Sequence, residues 1–353
     1  MKGKGIRKLY KKLILGAITA SMVISLSACS QNNTAKDNQN KDKVETSSQK
    51  GGDKQSYYPV TVTNYNYAGE KIKVTFDKVP EKVISTNQTT TELMLDLGLE
   101  KHLVGTCYLD NPILDRLKDK YKKVPVLSEK YPTKEQVLSK QPDLILGWKS
   151  VFADKTLGDI KEWNERKVNT FVQRNTVKTV GNFTVENTFK DIDDLGTIFN
   201  VKDKTDKYVK DLKDRLSKIE EKTSKLDKKK KVLILESENK DSFRVYGKND
   251  LVGDMALKAG GENLAEKSGS MSLENIVSAN PDAIILVHFG DDKKANDKDV
   301  AKILTENKAL ANVNAVKNKQ IVITGLAETW AGGVRTVDAV EHYAKELYPE
   351  LFK

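Results

Sequence analysis

A twelve-residue unit occurs twice in this chain of 353 residues, the copies standing 139 residues apart. Glu135-Gln136-Val137-Leu138-Ser139-Lys140-Gln141-Pro142-Asp143-Leu144-Ile145-Leu146 aligns with Glu274-Asn275-Ile276-Val277-Ser278-Ala279-Asn280-Pro281-Asp282-Ala283-Ile284-Ile285. Proline cannot continue a helix and biases the residue before it away from helical geometry. The apolar run that follows has the length of a buried strand. A chain that writes helix, Pro-Asp and strand twice is expected to build two α/β lobes, each around a parallel sheet.

The elements between the copies agree with that reading. Val60 to Thr63 and Ile72 to Phe76 alternate around a turn at Ala68-Gly69 and predict an opening hairpin. Val83 to Ser85 and Leu103 to Cys107 read as strands, with a helix over Thr89 to Leu97 between them. Thr133 to Lys140 reads as a helix, and Asp154 to Arg166 as another, which carries Trp163 and Arg166. Apolar positions at helical spacing, Phe189, Ile192 and Leu195, then Tyr208, Leu212, Leu216 and Ile219, predict linking helices over 185–228. The expected lobes are therefore 57–184 and 229–353.

The first 28 residues set the compartment. They hold six bases and no acid, then an apolar stretch from Leu13 to Leu26 that is too short for a bilayer span of roughly 20 residues. That is the pattern of a secretory signal peptide. Leu26-Ser27-Ala28-Cys29 resembles the lipobox of bacterial lipoproteins, in which the cysteine becomes the lipidated first residue. From 29 to 56 the chain is Ser, Asn, Gln, Lys, Asp, Thr and Gly with almost no large apolar residue, a tether with a reach of roughly 30 Å. Cys107 is the other of the two cysteines and sits in an apolar run, so a small buried hydrophobe is expected there and no disulfide.

Charge and motifs remove several classes of function. Lys+Arg 60 against Asp+Glu 50 gives +10, but without the leader the excess is about +4, which is no footprint for nucleic acid. The sequence has no nucleophile elbow, dinucleotide loop, phosphate loop, H-E-x-x-H or C-x-x-C pair, so nothing in it points to an enzyme or to a resident cofactor.

The lipobox, the paired Pro-Asp units, the helical linker and the stretch Glu328-Thr329-Trp330-Ala331-Gly332-Gly333-Val334-Arg335 together resemble the periplasmic-binding proteins of iron-siderophore, haem and cobalamin ABC importers. The resemblance implies two Rossmann-like α/β lobes joined by a long rigid helix, with a ligand cleft between them. It implies a monomeric receptor that works with an ABC permease dimer and its ATPase, held by lipid on the outer face of a membrane of Gram-positive type. Glu135 and Glu274, one per lobe, match the carboxylates with which family members dock on permease arginines. The transported ligand is expected to be a ferric siderophore, with haem or cobalamin as alternatives.

An anionic chelate calls for cations and aromatic walls at the carboxyl ends of the strands. Those expected are Tyr108, Trp148, Lys149 and Arg174 in the first lobe, and Arg244, Tyr246, His288, Trp330 and Arg335 in the second. No metal is expected to be held directly. For haem, His288 with Tyr131 from the opposite lobe could supply axial ligands.

Overall fold

The structure is a computed structural model that describes residues 56–239, 241–290 and 297–353. Cys29, the leader and most of the tether lie outside the described residues. Residues 55–353 form one compact unit.

The opening hairpin pairs β1 (Val60–Tyr65) with β2 (Lys71–Phe76). The first lobe is a five-stranded sheet of β3 (Val83–Ser85), β4 (Leu103–Cys107), β5 (Val126–Ser128), β6 (Leu144–Gly147) and β7 (Asn169–Val172), in the order β5-β4-β3-β6-β7, all parallel. The hairpin covers its outer edge. Val172 N–H donates to the Asn64 side chain at 2.7 Å, and that amide donates back to Val172 O at 3.3 Å, as a paired strand would.

The second lobe holds β8 (Lys231–Ser237), β9 (Ser242–Val245), β10 (Glu262–Asn263), β11 (Gly269–Ser272), β12 (Ala283–His288) and β13 (Ile321–Gly325). Its order is β11-β9-β8-β12-β13, with β10 beside β8. This sheet departs from the all-parallel expectation, because β9 and β11 run antiparallel at one edge. β9 follows β8 through a short reversal, and a connection that short can only make an antiparallel neighbour.

The Pro-Asp repeat has a structural cause. The Asp143 carboxylate accepts the N–H groups of Glu81 and Lys82 at 2.8 and 3.0 Å, which lead into β3. Asp282 accepts the N–H of Lys231, the first residue of β8, at 3.0 Å. The residue before each proline, Gln141 or Asn280, turns through the left-handed region at φ 49° and 41°. Each repeat thus ends a helix, bends, and ties its strand to the central strand beside it.

Helices Val185–Ile198 and Lys202–Thr223 connect the lobes. The longer buries Val209, Leu212, Leu216 and Ile219 along one stripe. Arg215 on it reaches Asp338 and Glu341 on the closing helix Thr336–Leu347 at 2.6 and 2.8 Å. The helix expected over Asp154 to Arg166 is shorter, Ile160–Glu165. Gly158 at φ 80° stops any earlier start and Asp159 caps the new one by accepting from Lys161 N at 2.7 Å. Trp163 lies in the core and Arg166 in solvent.

Candidate functional site

Both sheets have a switch point, where the chain leaves a central strand in opposite directions, and such points open a crevice at the strands' carboxyl ends. In the first lobe it lies between β3 and β6, in the second between β8 and β12. Trp148 follows β6, and its indole N–H points to Thr89 Oγ1 at 3.4 Å, in the first turn of the helix Gln88–Asp96 that follows β3. Glu236 is the last residue but one of β8, while His288 ends β12 and Phe289 follows it.

A row of rings and cations crosses from lobe to lobe at these ends. Tyr108 lies against Tyr131 with ring centroids 4.7 Å apart and planes tilted by 36°, and meets Trp148 at 5.9 Å. Trp148 meets Trp330 of the second lobe edge-on at 6.4 Å. The Arg244 guanidinium lies 4.9 Å over Trp330 and 4.7 Å over Tyr246. At the other end Lys130 Nζ sits between Tyr108, at 5.0 Å, and Phe289 of the second lobe, at 5.5 Å. A quadrupole face opposite a cation is an attractive contact that still leaves the cation's remaining donors for a ligand. Tyr108 occupies φ 56°, which an aromatic side chain rarely adopts, and such positions cluster at functional sites. The Tyr131 hydroxyl shares a hydrogen bond with Ser150 at 3.0 Å, and burial pushes its pKa up to about 12.

Acidic groups temper the charge. Tyr246 donates to Glu236, which also lies 4.0 Å from Arg244. Asp110 is buried with Oδ2 unpartnered, and burial raises its carboxyl to about 6 in spite of Lys130. It lines a cavity of about 400 Å³ together with Asn111, Ile113, Tyr121 and Phe289.

Two expected ligand cations are paired with protein carboxylates. Arg174 is buried against Asp191 at 2.5 Å and Asp194 at 2.6 Å; those carboxylates outweigh the burial that opposes its charge, and its pKa is raised. Arg335 is buried too. Its Nε and Nη2 reach the two Glu92 oxygens at 2.7 and 2.6 Å, and Nη2 also donates to Pro112 O. Both guanidiniums are matched by protein carboxylates, so the exposed positive charge rests on Lys130, Lys149 and Arg244. Lys149 leans over the Tyr67 ring of the hairpin turn at 5.0 Å.

Lys130, Phe289 and Tyr67 were not expected from sequence. Phe289 had a signal, since it follows His288 at the end of an apolar strand. Among the described residues no group of three or more His, Cys, Asp and Glu is arranged to hold a metal ion. Cys107 lies buried in β4, donates to Thr86 O at 3.4 Å, and has its thiol pushed up to about 12 by burial.

The lobes are tied directly beside this row. Asn111 of the first lobe donates to Gly290 O at 3.1 Å and accepts from Ala327 N at 2.9 Å. Gln173 donates to Gly332 O at 2.9 Å. Gly332 stands at φ 84°, and a Cβ there would lie 2.1 Å from Thr188 Oγ1, so only glycine fits this crossing.

On the outer surface the repeat glutamates match in local detail. Glu135 is in the first turn of helix Lys134–Ser139, capped by Thr133, and Glu274 in that of Leu273–Ala279, capped by Ser272. Glu135 is held below the ordinary carboxyl value by its own N–H and the Thr133 hydroxyl, Glu274 by the Ser272 hydroxyl and its own N–H.

Comparison with known proteins follows the same lines. The family model described as periplasmic binding protein matches residues 83–326. The chain is 27% identical over 336 residues to the uncharacterized ABC transporter substrate-binding lipoprotein YvrC of Bacillus subtilis, covering 94% of this chain and 95% of that one. It is 23% identical to the petrobactin-binding protein YclQ of the same species, over 97% and 100% of the two chains. It is 28% identical to the high-affinity heme uptake system protein IsdE of Staphylococcus aureus, over 74% and 86%. A crystal structure of a periplasmic binding protein from Veillonella parvula matches with a TM-score of 0.74 and 29% identity, over 83% of this chain and 99% of that one.

Proposed function

The chain belongs to the periplasmic binding protein family, and from that footing we propose that it is the surface receptor of an ABC importer, capturing an anionic ferric siderophore and delivering it to the permease. The observation that carries the ligand reading is the row Lys130, Tyr108, Trp148, Trp330, Arg244, which joins both lobes through three rings in contact with a cation at each end. Aromatic chelating groups stack on such faces, and their anionic oxygens meet the cations. A receptor needs no chemistry beyond this, in keeping with relatives that are solute-binding proteins.

Titration of residues 55–353 by tryptophan fluorescence tests the reading, with Trp148 and Trp330 inside the row. Saturable quenching by one ferric siderophore among catecholate, citrate and hydroxamate types is the expected result. Arg244→Ala should then weaken binding by about 1.5–3 kcal/mol, the worth of a hydrogen bond to a charged group. Silence toward all ferric siderophores would overturn the ligand assignment.

Haem is the second reading. It is favoured by Tyr131, which lies against Tyr108, and by His288 at the end of β12, which supply two of the kinds of side chain that ligate haem iron. A Soret shift with haemin that is lost in His288→Ala would move the assignment there, and cobalamin in the same panel checks the third class of ligand.

Two further parts complete the proposal. Glu135 and Glu274 meet cations on the permease, which their ionised state and exposure favour. Cys29 carries the lipid that holds the receptor at the outer face of the membrane, as the lipoprotein name of YvrC supports. Cys29→Ala should appear in the culture medium or remain unprocessed; a normal lipidated mass for the variant would contradict the anchor.

A further inference from the structure

Seven large apolar side chains stand in solvent among the described residues, and two of them are related by the repeat. Leu138 is 39% exposed and Val277 is 43% exposed, each three residues after its glutamate. Tyr67 and Phe289, by contrast, lie beneath Lys149 and Lys130.

Folding does not account for the pair. The helix Lys134–Ser139 buries Val137 and the helix Leu273–Ala279 buries Ile276, again equivalent positions. The next residue points about 100° further round the helix, and for the core a serine or lysine would serve there. A single exposed aliphatic needs no explanation. Two in the same register, both beside an ionised carboxylate, form a pattern. Residues three apart share a helix face with Cβ atoms roughly 5–6 Å apart. Each lobe therefore offers the same motif, a carboxylate with an aliphatic knob at its side.

We propose that Leu138 and Val277 are the apolar anchors of the permease contact, and that the permease presents the complement, a cation beside an apolar socket, once on each of two identical subunits. This rests on the docking role of Glu135 and Glu274. Charge complementarity steers approach and sets register, and it is screened by salt. Apolar surface that becomes fully desolvated governs how long the complex lasts. The same motif in both lobes suits a two-fold partner, because each copy then meets the same surface. Two local charges differ between the copies, Lys134 against Leu273 and Lys140 against Ala279, and Lys134 is turned to Glu162 at 2.8 Å.

The test uses the full-length receptor and its cognate permease–ATPase complex in lipid nanodiscs, with association and dissociation rates read separately. Leu138→Ser and Val277→Ser should each speed dissociation about threefold, and the double variant about tenfold, since distant contacts add. Leu138→Met with Val277→Ile should dissociate like the parent. Glu135→Ala/Glu274→Ala should instead slow association most at low salt. A parental dissociation rate for the double serine variant would sink the anchors, and an effect confined to one lobe would sink the identical-subunit partner. Parental association of the glutamate variant would overturn the docking reading itself.

Discussion

Replacing Arg335 by alanine is expected to destabilise the protein by about 3–5 kcal/mol, the range for removing one partner of a buried ion pair. Glu92 would be left inside the protein with only the N–H of Leu114, at 3.1 Å, and the Gln88 amide, at 3.3 Å, to face its charge. The pair joins residues 243 positions apart, so its loss also removes a tie between the lobes. Urea denaturation measures the cost. The paired change Glu92→Leu/Arg335→Met should recover most of it, because an apolar pair of similar volume leaves no buried charge. An unchanged midpoint for Arg335→Ala would show that the guanidinium is not committed to Glu92.

The double variant Glu135→Ala/Glu274→Ala is expected to abolish delivery while leaving capture intact. Both side chains are exposed and lie on outer helices, so stability should move by no more than about 0.5 kcal/mol. Radioiron uptake by cells that depend on this receptor should fall to background, and fluorescence titration of the purified variant should give the parental affinity. Retained uptake would remove both glutamates from the docking surface, and lost affinity would place them in the ligand site instead.

The repeat made the two-lobe plan legible because its signals are local. Val137 and Ile276 each anchor a short helix, the prolines stop it, and the apolar strands follow at once. The linking helices were legible for a similar reason, since their stripes recur every three or four residues. The antiparallel edge of the second sheet was not, because Gly269–Ser272 has no apolar run to mark it as a strand. In the site, aromatic residues at strand ends could be named from sequence. What each arginine does could not. Arg174 finds its carboxylates 17 and 20 residues away on a helix, and Arg335 finds one across the lobe boundary, whereas Arg244 lies over two rings. No feature of the flanking residues separates these cases. Lys130 was equally hidden, being one lysine in a charged loop until the fold sets it between Tyr108 and Phe289.

Asn111 gives the receptor a property that bears on traffic at the membrane. With its amide bonded to Gly290 and Ala327 in the other lobe, and with Gln173 bonded to Gly332 alongside, the two halves are stitched together by the protein's own polar groups. Such ties would limit any change in the span between the outer helices on loading. An importer that measured only that span would greet vacant and laden receptors alike, and vacant ones would occupy it as competitors. For such an importer discrimination would have to come from what cargo changes elsewhere on the receptor, and the number of receptors per importer would become a setting on the rate of supply.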